Sequence, residues 1–215
     1  MSLDRPSDAP SGRPEGSARR ERGDLDLANL LRLHGAPLVE ALERHLPGSR
    51  EHAQATSSYA FAAAVGLGFD RPQCDVAREA AMLHEIGLIY VPAAIAIKPA
   101  EERDPTEAET WDAQYQAAYQ LARGAGIPEH VCGWLLRIRE RYDGGGAEGL
   151  AADRIPIESR LMRAACVCQA TLATATGDRP AARVAIEGLS QRAGGELDPR
   201  VVASLIAILE RAAPT

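Results

Sequence analysis

From Asp24 onward, apolar positions recur at helical spacing, and short runs of proline and glycine separate the recurrences. Leu25, Leu27, Leu30, Leu31 and Leu33 lead to a break expected near Gly35, and a second run from Pro37 to Leu46 stops at Pro47-Gly48. Ser49 is the expected cap of a helix through His52, Tyr59, Phe61 and Val65 to Gly66 or Gly68, and Asp75 lies near the start of a helix over Val76–His84. Residues 86–99 read as an irregular apolar connector broken by Pro92 and Pro99. Thr106 is the expected cap of the next helix, Glu107–Arg123, with Glu109 completing a capping box. Further helices are expected over Pro128–Arg141, Glu158–Thr174, Ala181–Arg192 and Pro199–Arg211, with a loop at Asp143-Gly-Gly-Gly-Ala-Glu-Gly149, where three glycines are poor in any regular element. No period-2 alternation and no repeat occurs, so the fold class is all-α. Residues 1–23 carry Pro, Ser, Gly and charge with almost no apolar residue and are expected to form a disordered tail, leaving residues 24–215 as a single helical domain.

Composition narrows the function classes. A chain of 215 residues with 46% apolar content buries one substantial core. Its formal charge of −6 offers no general field for a phosphate backbone, so a nucleic-acid polymer is not an expected partner. The four cysteines are too sparse for a disulfide framework, and no apolar signal segment or spanning run of about 20 residues occurs, so the expected location is the cytoplasm and no membrane is expected as a partner. Lys98 is the only lysine among 24 basic residues, a bias typical of a GC-rich bacterial genome.

Three features invite a chemical reading: an isolated His52 on a helix, the His84-Glu85 pair ending an apolar helix, and the glycine-rich loop entered through Glu140-Arg-Tyr-Asp143. Each alone has an ordinary structural explanation. Their order and wording resemble the HD-GYP domain, the cyclic-di-GMP phosphodiesterase family. Ala80-Ala-Met-Leu-His-Glu-Ile-Gly-Leu-Ile-Tyr-Val-Pro92 is similar to A-x-L-H-D-I-G-K-I-x-I-P, with His52 upstream where the family's first histidine is expected. Lys98-Pro99 resembles N-K-P, Thr106-Glu-Ala-Glu-Thr-Trp111 resembles T-x-x-E-W, and Arg139-Glu-Arg-Tyr-Asp-Gly-Gly-Gly146 resembles H-E-R-W-D-G-x-G. Ile155-Pro-Ile-Glu-Ser-Arg-Leu161 and Gly195-Glu-Leu-Asp-Pro199 continue the match.

The resemblance implies a helical bundle of the HD-GYP type, whose histidines and aspartates hold two or three metal ions that activate water for phosphodiester hydrolysis. Carried over residue by residue, it also implies that most of that centre is replaced. His52 and His84 match the family's ligands, and Glu85 stands for the motif aspartate, one bond of about 1.5 Å longer. Gly48 falls where an acidic residue often precedes the first histidine, and Gln114 or a neighbour falls on the next histidine. Ile138 and Arg139 fall on a histidine pair, Cys166 on the late aspartate, Leu88 on the motif lysine and Gly146-Ala147-Glu148 on Gly-Tyr-Pro. Isoleucine cannot bind a metal and arginine adds positive charge.

The reduced set His52, His84, Glu85 and Cys166 suits one tetrahedral ion. The expected cofactor content is therefore none, or one divalent ion (Zn, Mn or Fe). The bland alternative makes the two histidines hydrogen-bonded relics and Cys166 a small core residue. Arg139, Arg160 and Arg179 are candidate phosphate contacts, the last as a remnant of the family's D-R-P-Y-R. Trp111, Tyr115, Tyr119 and Trp134 could stack a base, although at helical spacing such aromatics usually pack the core or its rim. The expected function is a degenerate, non-hydrolytic signalling or scaffold domain that binds a cyclic dinucleotide or a signalling protein, with self-association as a further option. The alternative is a single-metal phosphohydrolase.

Overall fold

The computed structural model describes residues 15–175 and 180–212. Among them the chain forms nine α-helices: α1 Glu15–His45, α2 Ser49–Gly66, α3 Arg71–Ala81, α4 Ala93–Ala96, α5 Pro105–Gly124, α6 Glu129–Leu136, α7 Ile157–Thr174, α8 Ala181–Arg192 and α9 Pro199–Ala212. Short 3-10 turns occupy Ile86–Tyr90, Ala100–Glu102, Arg137–Arg139 and Ala152–Arg154. Among the described residues there is no strand, only an isolated bridge between Ala193 and Leu197, in keeping with the all-α expectation. No helix is long and apolar enough to cross a membrane.

Two buried clusters share the central helices. One joins Leu31, Leu83, Ile86, Val131, Leu135 and Met162 from α1, the α3 end, α6 and α7. The other joins Leu161, Leu189, Leu197, Val201 and Leu205 under α8 and α9. Between them α2, α3 and α7 meet on alanines: Ala60, Ala63, Ala64, Ala80, Ala81, Ala164 and Ala165 are fully buried. Side chains this small bring helix axes toward the close end of the usual 8–10 Å range.

Several boundaries differ from the sequence expectation, each for a local reason. α1 runs unbroken through Gly35 and Pro37 and begins at Glu15, nine residues before the expected boundary. Gly35 is there for contact, since a Cβ would meet Leu83 Cδ2 at 2.6 Å. Pro37 removes one helical N–H, and Leu33, one turn earlier, is exposed. The other residues of the expected tail, 1–14, lie outside the described residues.

Ser49 does not cap α2. Gly48 holds the cap position at φ 94°, and the Glu43 carboxylate accepts from the amides of Gly48 (3.0 Å) and Arg50 (2.8 Å). α3 starts at a capping box between Asp70 and Gln73, not near Asp75. In α5 the cap is Asp104, reciprocated by Glu107, two residues ahead of the Thr106/Glu109 pair. Pro105 explains the shift, because its ring is preset for the first helical position and its missing N–H is not needed there. α6 ends at Leu136 and tightens into a 3-10 turn instead of reaching Arg141.

Gly87, in the turn that follows the His84-Glu85 pair, lies against α5. A Cβ there would stand 1.8 Å from the Gln114 carbonyl oxygen and 2.8 Å from the Ala118 nitrogen, both backbone atoms. Gly87→Ala is therefore expected to destabilise the fold by about 3 kcal/mol or more, because the contact can be relieved only by moving a helix. A denaturant melt of the variant beside the wild type measures this.

Candidate metal centre and arginine pocket

His52 projects from the first turn of α2, and His84 and Glu85 lie just past the end of α3. Their side chains converge. The two Nε2 atoms are 3.2 Å apart, and Glu85 oxygens lie 3.5 Å from His52 Nε2 and 3.8 Å from His84 Nε2. All the candidate donor atoms fall within 4.8 Å of one another. His84 is buried, while His52 and Glu85 are partly exposed, so the cluster opens toward solvent on one side.

His84 Nδ1 donates to the Ala81 carbonyl at 2.9 Å, which leaves its Nε2 as an acceptor. Without a metal, His52 Nε2–H then donates to His84 Nε2. Two imidazoles on one ion, with bonds of about 2.0–2.1 Å and octahedral to tetrahedral angles, would stand about 2.9–3.4 Å apart. The observed separation fits both states. The carbonyl partner on Nδ1 is the outer contact that commonly orients a ligating histidine. Among the described residues, two imidazoles and one carboxylate therefore make a donor set suited to a single divalent ion.

Cys166 does not join this group. Its sulfur stands one bond from Cβ, nearer the helix backbone than an aspartate oxygen would be. Cys166 is still a neighbour: burial pushes its thiol above the ordinary range, the Glu85 carboxylate adds to the rise, and Arg163 opposes it. The four-residue set is thus corrected to His52, His84 and Glu85.

Structural side chains occupy the other positions that the motif resemblance singled out. Ile138 is buried in the core and Gln114 is buried on α5. Arg139 donates from Nη2 to Asp112 Oδ2 at 2.8 Å, and its guanidinium lies 5.2 Å from the Tyr115 ring centre. Leu88 packs with Leu42 and Val91 in a small apolar cluster. Arg160 is only 8% exposed and is held by Asp198 at 2.6 Å and Asp153 at 2.9 Å. It ties the start of α7 to the start of α9, and its proposed phosphate contact is withdrawn. Arg179 lies outside the described residues.

Of the four other histidines, only His52 reaches His84. His34 pairs with the Ala125 carbonyl and His45 with that of Val91, while His130 sits edge-on to Trp134.

The glycine-rich loop closes over Glu140, a buried carboxylate that accepts from the amides of Glu148 (2.7 Å) and Leu150 (3.0 Å). Gly146 is obligatory there, because a Cβ would meet Glu140 Oε2 at 2.6 Å and the Glu140 Cα at 2.7 Å. Tyr142 and Asp143 amides donate to the carbonyls of Glu196 and Gly195, anchoring the loop to the turn before α9. Between this loop and α5 lies a cavity of about 530 Å³, lined by Trp111, Tyr115, Arg139, Arg141, Arg163 and Glu196 among others. Arg163 donates to Glu196 at 2.6 Å and Arg141 to Asp143 at 2.6 Å. Sequence reading missed the counter-ions Asp112 and Glu196, because each acts across the bundle on a residue far along the chain, and it missed Glu140, whose role depends on how the loop folds back over it.

A family model described as "HD domain" matches residues 37–201. The chain belongs to the HD-domain family. Within it the chain is of the HD-GYP type, in agreement with the motifs. It is 29% identical over 177 residues to "Cyclic di-GMP phosphodiesterase response regulator RpfG" of Xanthomonas campestris, covering 79% of this chain and 46% of that protein. It is 31% identical over 93 residues to "Cyclic di-GMP phosphodiesterase PdeB" of Borreliella burgdorferi, covering 43% of this chain and 24% of that protein. The chain thus spans less than half the length of either relative. Among solved structures it is similar to Bd1817, an HD-GYP-type protein from Bdellovibrio bacteriovorus, with TM-score 0.64 and 19% identity over 91% of this chain and 64% of that one. The PgpH HD domain of Listeria monocytogenes, solved with cyclic-di-AMP, gives TM-score 0.60 and 14% identity over 83% and 98%. These two likenesses establish the shared bundle.

Burial holds the pKa of His84 below the ordinary value of 6.5, with Glu85 opposing the shift and His52 adding to it. A lowered folded-state pKa means that the unfolded chain binds the proton more readily, so this group's contribution is fully present above about pH 6.5 and is lost as the pH falls from there through the folded value. The melting temperature is expected to drop between pH 7.5 and pH 5.5, and the drop should shrink in His84→Gln. Thermal melts of metal-free protein at the two pH values test this.

Proposed function

We propose that this HD-GYP-type domain is non-hydrolytic and acts in signalling, holding a cyclic dinucleotide or docking a protein partner without cleaving a phosphodiester. The observation that carries the reading is the filling of the positions matched to a second and third metal: Ile138 is sealed in the core, Gln114 is buried, and Arg139 is committed to Asp112 and Tyr115. A fixed guanidinium in that place opposes a cation by charge and by volume. The exposed Tyr90 and Ile97 beside α4 favour a protein-contacting surface. The phosphodiesterase names of the relatives support a cyclic dinucleotide as the small-molecule arm.

A single-metal phosphohydrolase is the second reading, favoured by the 3.2 Å approach of the two Nε2 atoms. His52, His84 and Glu85 would hold the ion, which when bound lowers the pKa of a coordinated water and polarises a phosphoryl oxygen.

Metal analysis after purification without chelator, paired with incubation of cyclic-di-GMP with added manganese or iron, separates the two. The non-hydrolytic reading expects at most about one ion per chain, lost in His52→Ala and in His84→Ala. It also expects intact cyclic-di-GMP in every condition. Turnover that disappears in His84→Ala would establish the hydrolase instead.

A further inference from the structure

The cavity beside the glycine-rich loop gathers arginines in its lining. Three guanidinium groups, those of Arg139, Arg141 and Arg163, line it, within a protein of formal charge −6. Each is held by a carboxylate: Asp112, Asp143 and Glu196. The carboxylates match the three lining arginines one for one, and Glu196 is shared with Arg192 at 3.4 Å. The Nε of Arg163 is buried and has no hydrogen-bond partner. A donor in that state carries an unrecovered desolvation cost.

The arginines are also placed with respect to the metal centre. Tyr115 is partly buried, and desolvation raises its pKa, with Arg163, Arg139 and Cys166 all close enough to influence it. Cys166 in turn is influenced by both Arg163 and Glu85. The cavity and the His52–His84–Glu85 cluster are therefore neighbours, joined through Tyr115 and Cys166.

We infer that Arg139 and Arg163 substitute fixed guanidinium charge for bound cations, making this cavity a metal-independent site for the phosphate of a nucleotide. The inference deepens the non-hydrolytic reading and rests on it for the choice of a nucleotide. Guanidinium forks match phosphate oxygens two at a time, and they keep their charge at every physiological pH. Asp112 and Glu196 act as internal placeholders that hold the forks open in the free protein. A cavity of this size is within the range of small-molecule sites and admits a mononucleotide or part of a cyclic dinucleotide. Phosphate bound to fixed charge is held without a metal, so occupancy does not require the ion that cleavage would need.

The test is calorimetric titration of the full chain, treated with chelator, with cyclic-di-GMP, GMP and inorganic phosphate in separate arms. Binding is expected to survive chelation for at least one nucleotide and to exceed that of inorganic phosphate. Arg163→Ala and Arg139→Ala are each expected to weaken it about tenfold or more, as loss of a charged hydrogen bond does. Arg163→Lys should recover part of the loss, because the charge returns without the fork. Arg44→Ala, on the exposed surface of α1, should bind as the wild type does. Thermal melts of each variant exclude unfolding as the cause. Binding that vanishes with chelator, that ignores both arginine variants, or that is absent for every probe overturns the inference. Hydrolysis of cyclic-di-GMP on metal addition would instead overturn the non-hydrolytic reading, while chelator-resistant binding that depends on Arg163 would leave the pocket standing.

Discussion

The alanine contact among α2, α3 and α7 is the constraint from which the rest of the arrangement follows. Ala60, Ala63 and Ala64 on one helix face Ala77, Ala80 and Ala81 on the next and Ala164 and Ala165 on the third, and nearly all are completely buried. Packing energy from such small side chains comes from close approach, since each alanine buries little area by itself. Close approach is also what a metal centre needs, because imidazoles reach only a few ångströms from their helices. The 3.2 Å between His52 and His84 Nε2 is thus a product of backbone spacing. Larger residues along this seam would part the histidines before altering either one.

The two sides of this seam carry different chemistry. On the His84 side two imidazoles and a carboxylate converge, with the Ala81 carbonyl fixing the His84 ring. On the side facing α5 and the glycine-rich loop, the positions are occupied by Ile138, by Gln114 and by Arg139 with its carboxylate partner. The partly exposed Arg139 pairs with Asp112 on the neighbouring helix. Arg160, Asp153, Asp198 and Arg200 form a second such network, which clamps α7 to α9. The two arginine networks resemble each other in composition and differ in use. The first lines a cavity, whereas the second fastens two helix starts together.

Helix identity and order were legible from apolar periodicity and proline punctuation, and α8 coincides with its expected span, Ala181–Arg192. Caps were less legible. Ser49, Asp75 and Thr106 were each chemically suitable, yet Glu43, Asp70 and Asp104 supply the carboxylates that take the helix-start amides. Several polar residues near a helix start can cap it, and the choice depends on which one the preceding turn aims at the free amides. The continuity of α1 through Gly35 and Pro37 was hidden for a related reason: local propensity marks a break there, and contact with Leu83 and the surrounding core overrides it.

By itself the sequence determined an all-α bundle of the HD-GYP type and singled out His52, His84 and Glu85 as candidate donors, because these follow from residue chemistry and motif order. Only the tertiary structure decided that Cys166 falls short of the donor cluster and that Arg160 is locked to Asp198, while Arg139 and Arg163 share a cavity with carboxylate partners. Those outcomes depend on distances between helices far apart in the chain. Such distances are set by how closely small side chains let the helices pack, and no local pattern encodes them.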